Sequence, residues 1–199
     1  MTLKYTRIRY CKMSFKTTLA NLLKTNDFRT LELEFRVGFQ TSTGYHARVP
    51  KLVWMTAKNK LQDGVEVTTI DKYVKSRQNE SSRHVQTPRE SFWEHKKKVD
   101  MDITPGKYAI RSSLAIEIRE EGSPPNSFVL QRKKHRTSFA KGPWSLDFTR
   151  VEAIPSDDKD SEETYEIEVE LKDVGYLFEK ELDLVIQEGI HIAQSLVST

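Results

Sequence analysis

The chain has a single cysteine, Cys11, among 199 residues. That excludes an internal disulfide and fits a reducing compartment, with Cys11 read as a plain semi-buried thiol. No apolar run approaches the ~20 residues needed to cross a bilayer as a helix, and the start lacks the apolar core of a signal peptide. The basic residues there, Lys4, Arg7, Arg9, Lys12 and Lys16, are interspersed with Tyr10, Met13 and Phe15, a pattern of surface rather than of an organelle presequence. The expectation is a soluble intracellular protein without a membrane partner. Net charge is also scarce: 32 Lys+Arg against 29 Asp+Glu leave +3, too little for a general nucleic-acid coat. The five histidines, His46, His84, His95, His135 and His191, make no metal-ligand spacing. There is no internal repeat and no low-complexity tract. One domain over residues 1–199 is expected, large enough for a real core.

What is present is segregation of charge by sign. Leu31-Glu32-Leu33-Glu34-Phe35-Arg36-Val37 and Tyr165-Glu166-Ile167-Glu168-Val169-Glu170-Leu171 both alternate strictly. In an extended chain this puts the apolar residues on one face and the charged ones on the other. Stacked like charges on one strand face are unfavourable without compensation. One such stretch reads as the solvated face of an antiparallel sheet. Two, near opposite ends of one chain, suggest strands that meet and pool carboxylates around a hard divalent ion.

Periodicity assigns the rest. A helix over 14–25 has Ser14 at its N-cap and Phe15, Leu19, Leu22 and Leu23 on one face. The first acidic strand, 30–38, closes at Gly38, and 39–48 reads as loop. A helix from Pro50 to Leu61 ends at Gly64. Strands follow at 65–75, 82–86, 92–103, 107–119, 127–139 and 144–152, then an acidic loop at 155–163, the second acidic strand at 164–172 and a helix over 177–196 that Gly189 weakens. Eight strands with short connections and flanking helices favour a closed antiparallel barrel or a sandwich, a mainly β (α+β) fold.

The strands differ in sign. Arg132, Lys134, Arg136 and Ser138 share a face, as do Lys96 and Lys98, while Arg111, Ser113, Ala115 and Glu117 oppose the apolar Ile110, Leu114, Ile116 and Ile118. Ser145, Asp147 and Thr149 oppose Trp144, Leu146 and Phe148. Whole strands of one sign suit a closed interior in which acids hold a metal and bases hold a polyanion such as a phosphate chain. Cross-strand salt bridging on a solvated surface accounts for the periodicity equally well.

In this order the motifs Leu31 to Gly38, Arg111-Ser112-Ser113-Leu114-Ala115-Ile116-Glu117, Arg132 to Phe139, Trp144-Ser145-Leu146-Asp147-Phe148-Thr149 and Tyr165 to Leu171 resemble the metal-dependent RNA 5′-triphosphatases of the triphosphate tunnel metalloenzyme superfamily, the fungal, protozoal and viral mRNA-capping type. The resemblance extends over about residues 30–172. It implies a closed eight-stranded antiparallel tunnel with flanking helices, removal of the γ-phosphate from triphosphate-ended RNA, activity on nucleoside triphosphates, and a need for Mg²⁺ or Mn²⁺. Carried over by motif, Glu32, Glu34 and Glu170 are the metal ligands, with Glu166 in the same metal-binding floor. Glu117, helped by Asp147 and Glu168, orients or activates water. Arg132, Lys134 and Arg136 hold phosphates, the last two also acting in catalysis, and Arg111, Arg83 and Lys96 or Lys98 add positive charge. Arg36 stands where many relatives carry Lys, and residues 78–98 match loosely. The implied partner besides RNA is an mRNA guanylyltransferase, which acts on the product. The implied location is the nucleus, or alternatively a viral replication site or the cytoplasm. A small-molecule triphosphatase or polyphosphatase of the same fold is the nearest alternative, and it typically begins with Glu-x-Glu-x-Lys. A non-catalytic RNA-binding barrel would pair exposed aromatics with its basic residues.

Overall fold

Strict alternation of apolar and charged residues builds a barrel turned inside out: its ionic faces point inward and its apolar core lies outside the wall. The computed structural model describes residues 14–25, 28–75, 80–156 and 160–198. Cys11 and the basic residues ahead of Ser14 lie outside that set. The elements are α1 (Phe15–Thr25), β1 (Leu31–Thr41), β2 (Gly44–His46), α2 (Lys51–Lys58), β3 (Val65–Tyr73), β4 (Glu80–Gln86), β5 (Ser91–Thr104), β6 (Ala109–Glu120), β7 (Leu130–Lys141), β8 (Trp144–Pro155), β9 (Glu162–Leu171), α3 (Tyr176–Glu179) and α4 (Leu182–Val197). A single 3-10 turn at Phe28–Thr30 leads into β1. Among the described residues, no helix is long and apolar enough to cross a membrane.

The strand order is β2-β1-β6-β5-β4-β3-β7-β8-β9, and β1 also pairs with β9. Eight antiparallel strands therefore close on themselves, with β2 as a short extra strand on the end of β1. Closure removes the free edges that an open sheet would expose.

Leu33, Phe35 and Val37 of β1, Ile110 and Leu114 of β6, Leu146 and Phe148 of β8, and Ile167 and Val169 of β9 point out of the barrel into one buried cluster. Leu19 of α1, Ala57 of α2 and Val185, Ile192 and Ala193 of α4 cover them. Phe35 meets Trp144 edge to face, with ring centroids 5.8 Å apart. The helices thus form a layer under one side of the tunnel. Gly189 has a use there: a Cβ at this position would come within 2.2 Å of the Phe35 ring, so the residue that lowers helix propensity permits α4 to approach β1.

Several boundaries differ from the periodicity. Residues 39–48 are not a loop: β1 runs on to Thr41 and turns back through Gly44, which has φ +122°. Polar composition masks this hairpin. Gly38 does not close the strand; a side chain there would strike the His46 carbonyl at 2.2 Å and the Tyr45 ring at 2.7 Å, so glycine is what lets β2 fold over β1. Pro50 precedes α2 rather than starting its first turn, and the helix ends at Lys58. The C-terminal helix is two, because Lys180 is extended between α3 and α4. Residues up to Val129 remain loop before β7, while β8 and β9 run into the acidic segment between them.

Candidate active site

Residues of seven of the eight barrel strands, all but β8, line a cavity of about 540 Å³. Register determines who meets whom. Glu34 opposes Glu170 and Arg36 opposes Glu168 across the β1–β9 ladder, and Asp147 of β8 opposes Glu168 on its other side. Glu32, Glu34 and Glu170 therefore lie together at one part of the wall. Glu166 stands apart from them, ion-paired to Arg132 at 2.6 Å.

Cations hold this acidic group together. Glu34 receives Arg36 Nε at 3.2 Å, Arg111 Nη2 at 3.3 Å and Lys96 Nζ at 3.9 Å. Lys96 also pairs with Glu32 and lies 3.3 Å from Glu117. Arg36 pairs with Glu168 as well. Burial opposes the Glu34 charge, but Arg36, Lys96 and Arg111 outweigh it and keep this carboxyl well below the ordinary range. Glu32 goes the other way: burial, Glu34 and Glu117 push it up to about 8 against the pull of Lys96. Burial, with Asp147, likewise raises Glu170 despite its 2.6 Å pair with Lys172.

Two of the three central carboxylates are therefore reluctant to ionise without added positive charge. Glu32 Oε2 is buried and accepts no hydrogen bond of proper geometry. An all-oxygen set of this kind fits a hard divalent cation. Among the described residues, no three acidic or histidine side chains are preassembled as a metal cage, because Lys96 and Arg36 stand among them.

On the opposite wall Arg136 donates to Asp147 at 3.0 Å and lies 3.5 Å from Glu168. Ser145 donates to Asp147 at 2.5 Å. Lys134 pairs with Asp71 at 2.5 Å, and Arg83 joins Asp71 at 3.0 Å, the Tyr73 hydroxyl at 3.0 Å and Glu94. Burial works to raise Asp71, but Lys134 and Arg83 overcome it and hold its carboxyl low. Tyr73 is drawn down to about 8, since Lys134, Arg83 and Arg132 more than offset its burial. The result is a closed lattice of alternating charge in which both carboxylates and guanidiniums are already oriented.

A family model described as the mRNA capping enzyme, beta chain, matches residues 94–182. The chain is 56% identical over 187 residues to a 5′-RNA triphosphatase of Paramecium bursaria Chlorella virus 1, covering 92% of this chain and 97% of that relative. The chain belongs to the RNA triphosphatase family. Its fold matches the RNA triphosphatase Pct1 of S. pombe, with a TM-score of 0.73 at 14% identity over 92% of this chain and 91% of that one, in a complex with the Spt5 CTD. Pct1 solved without that partner gives a TM-score of 0.72, covering 92% and 90%. The closed antiparallel tunnel is the family fold.

Within this RNA triphosphatase tunnel, the structure brings together the sequence-derived residues Glu32, Glu34, Glu117, Asp147, Glu168, Glu170, Lys96, Arg111 and Arg136 through direct or shared contacts, while Lys134 pairs with Asp71 apart from them. Lys96 and Lys98 part company: Lys96 is the cation inside the acidic group, while Lys98 is exposed at one end of the cavity. Arg83 belongs to the Asp71–Tyr73–Glu94 group. Arg36, Asp71, Tyr73, Glu94 and Lys172 also belong to the site, although none is assigned a role by the sequence motifs. Alternation within β3 puts Asp71 and Tyr73 on one face, a signal that was available, but their partners follow only from the pairing of β3 with β4 and β7.

Proposed function

We propose that this protein is an RNA 5′-triphosphatase that removes the γ-phosphate from triphosphate-ended RNA and leaves a diphosphate end, the first step of mRNA capping. The observation that carries this reading is the juxtaposition of a carboxylate group on β1 and β9 with the basic row of β7 inside one tunnel. Phosphoryl transfer needs positioning and charge neutralisation more than covalent help, and this lattice offers both. Nucleoside triphosphates present the same three phosphates and are expected as further substrates.

Glu32, Glu34 and Glu170 would hold the divalent cation on which the tunnel family depends, and Mg²⁺ or Mn²⁺ suits their oxygen donors. Bound there, it would add positive charge at the γ-phosphate and acidify a water. The remaining work falls to side chains. Arg136 and Lys134 leave Asp147, Glu168 and Asp71 for phosphate oxygens, and Arg132 extends the row toward the leaving diphosphate. Glu117, held by Lys96, orients the water, with Asp147 and Glu168 nearby. The water oxygen bonds to the γ-phosphorus, the bond to the β–γ bridging oxygen breaks, and the water's proton passes through Glu117 to solvent. Glu166 serves this reading by fixing Arg132.

A guanylyltransferase is the proposed next enzyme, because its chemistry consumes a diphosphate end. The nucleus is the proposed location, with a viral replication site or the cytoplasm equally suited to nascent transcripts. The test is release of labelled phosphate from γ-labelled triphosphate RNA with Mg²⁺ or Mn²⁺ and with excess EDTA. Metal-dependent release supports the reading; equal release in EDTA removes the metal from it; no release from RNA overturns it.

A further inference from the structure

Strand β5 carries one irregularity. Lys98 faces Ala115 and Asp100 faces Leu114, so consecutive residues of β6 meet residues two apart on β5, and Val99 is the extra one. Unbroken alternation from Lys96 and Lys98 would turn Asp100 into the tunnel and Met101 away from it. The bulge turns Met101 to the tunnel face and pairs Asp100 with Leu114, although Asp100 still lines the rim of the cavity. Asp100 accepts a hydrogen bond from Thr18 Oγ1 of α1 at 2.9 Å. Met101 faces Ser113, and the two line the tunnel together. Met101 is 50% exposed and Val99 37%. On β5 the cavity lining ends at Met101, so Val99 and Met101 form a solvent-exposed apolar lip beside Asp100.

Lys98 lines the same end. Each of the other tunnel-lining arginines and lysines has a carboxylate within ion-pair distance. Among the described residues, Lys98 has none. Burial and then the neighbouring cations Arg111, Lys96 and Arg36 push its ammonium below the ordinary value. A cation in such company gains directly from an anion. Arg132, Lys134 and Arg136 must give up ion-paired carboxylates to take phosphate, whereas Lys98 has only the weaker, more distant pull of Glu34.

We propose that this lip is a subsite for the RNA chain: Lys98 takes the first internucleotide phosphate while Met101 and Val99 take the face of the 5′ nucleoside. It rests on the RNA 5′-triphosphatase reading and deepens it. A free nucleoside triphosphate has a nucleoside but no internucleotide phosphate, so Lys98 favours RNA over it. Apolar contact with a base face is tolerant of sequence, as an enzyme acting on many transcripts requires, and a lysine–phosphate contact makes the preference weaken with salt.

The experiment compares phosphate release from triphosphate RNA and from ATP by wild type, Lys98→Ala and Lys98→Arg over a range of salt. In Lys98→Ala, kcat/KM for RNA should fall about tenfold through KM, the RNA-to-ATP ratio should fall with it, and the salt slope for RNA should become shallower by about 0.7, the value for one contact to a single strand. Lys98→Arg should restore ratio and slope. Met101→Ser should raise KM for both substrates, since both carry the nucleoside. Equal losses on RNA and ATP in Lys98→Ala would mean that Lys98 grips the triphosphate itself, and an unchanged ratio and slope would mean that it touches no RNA; either overturns the subsite and leaves the parent reading standing. A wild-type protein that hydrolyses ATP but not RNA overturns the parent reading, and the subsite with it.

Discussion

Glu34 of β1 and Glu170 of β9 stand directly opposite each other in the ladder that closes the barrel. Like charges in that position destabilise a sheet unless they are compensated. Arg36, Arg111 and Lys96 compensate Glu34, and Lys172 compensates Glu170. Glu34→Ala and Glu170→Ala should each lower kcat by orders of magnitude and weaken Mn²⁺ binding measured by calorimetry. Glu162→Ala, which removes only an exposed pair with Arg48, should leave both near wild type. Unchanged Mn²⁺ affinity in both folded tunnel variants would rule out the ligand assignment.

Arg136 joins two carboxylates, Asp147 and Glu168, through its two terminal nitrogens. Arg136→Ala should reduce turnover by at least ~100-fold, in the range seen when one preorganised charge is removed. It should also destabilise the fold by about 1–3 kcal/mol, because Asp147 loses a partner in a buried place, less a discount for the exposure of the guanidinium. Arg136→Lys keeps the charge but not the fork. It should recover more stability than turnover, as read by urea unfolding beside kcat.

Gly189→Ala should destabilise the protein by about 1–3 kcal/mol, the usual cost of overpacking a core, although alanine is the better helix former. The added methyl would fall on Phe35, which is fully buried. A rise in Tm would show that the ring has room to move.

Glu188 accepts the Trp144 indole N–H at 3.3 Å, the Tyr176 hydroxyl at 2.8 Å and Lys180 Nζ at 3.3 Å, joining β8, α3 and α4. Its slight burial works to raise its pKa, but these hydrogen bonds prevail and hold it below the ordinary value of 4.5. A depressed carboxyl stabilises the fold above its unfolded pKa and loses that contribution as pH falls through the folded one. The stability gap between wild type and Glu188→Gln should therefore be full at pH 7 and shrink below 4.5. A gap that is constant down to pH 3 would mean that the charge contributes nothing.

The strands most legible in the sequence are those whose alternation is unbroken. β1, β8 and β9 each present one apolar face outward and one polar or ionic face inward, and β7 carries an unbroken basic row at Arg132, Lys134 and Arg136, so the faces of Glu34, Arg136, Asp147 and Glu168 follow from alternation alone. β5 shows where that reasoning stops. Its charges alternate correctly as far as Lys98, and then Val99 shifts the phase, a change that depends on the hydrogen bonds to β6 rather than on residue type. The β2 hairpin escaped because Thr41, Ser42 and Thr43 look like loop, and the Asp71–Arg83–Glu94 group because three strands supply it.

The pairing of the first barrel strand with the last, β1 with β9, has a kinetic consequence. While the pairings β3–β7, β1–β6 and β1–β9 span distant segments, the hairpins β1–β2, β3–β4, β4–β5, β5–β6, β7–β8 and β8–β9 join near neighbours in the chain. They can form locally and quickly. Closing β1 onto β6 and β9 brings together segments far apart in sequence, and the loop entropy must be lost before those contacts are gained. A chain emerging from the ribosome exposes Leu33, Phe35 and Val37 long before Val169 exists to flank them. The seam between β1 and β9 is then the last part of the wall to zip, and a nascent chain stalled short of it would present an open, aggregation-prone edge.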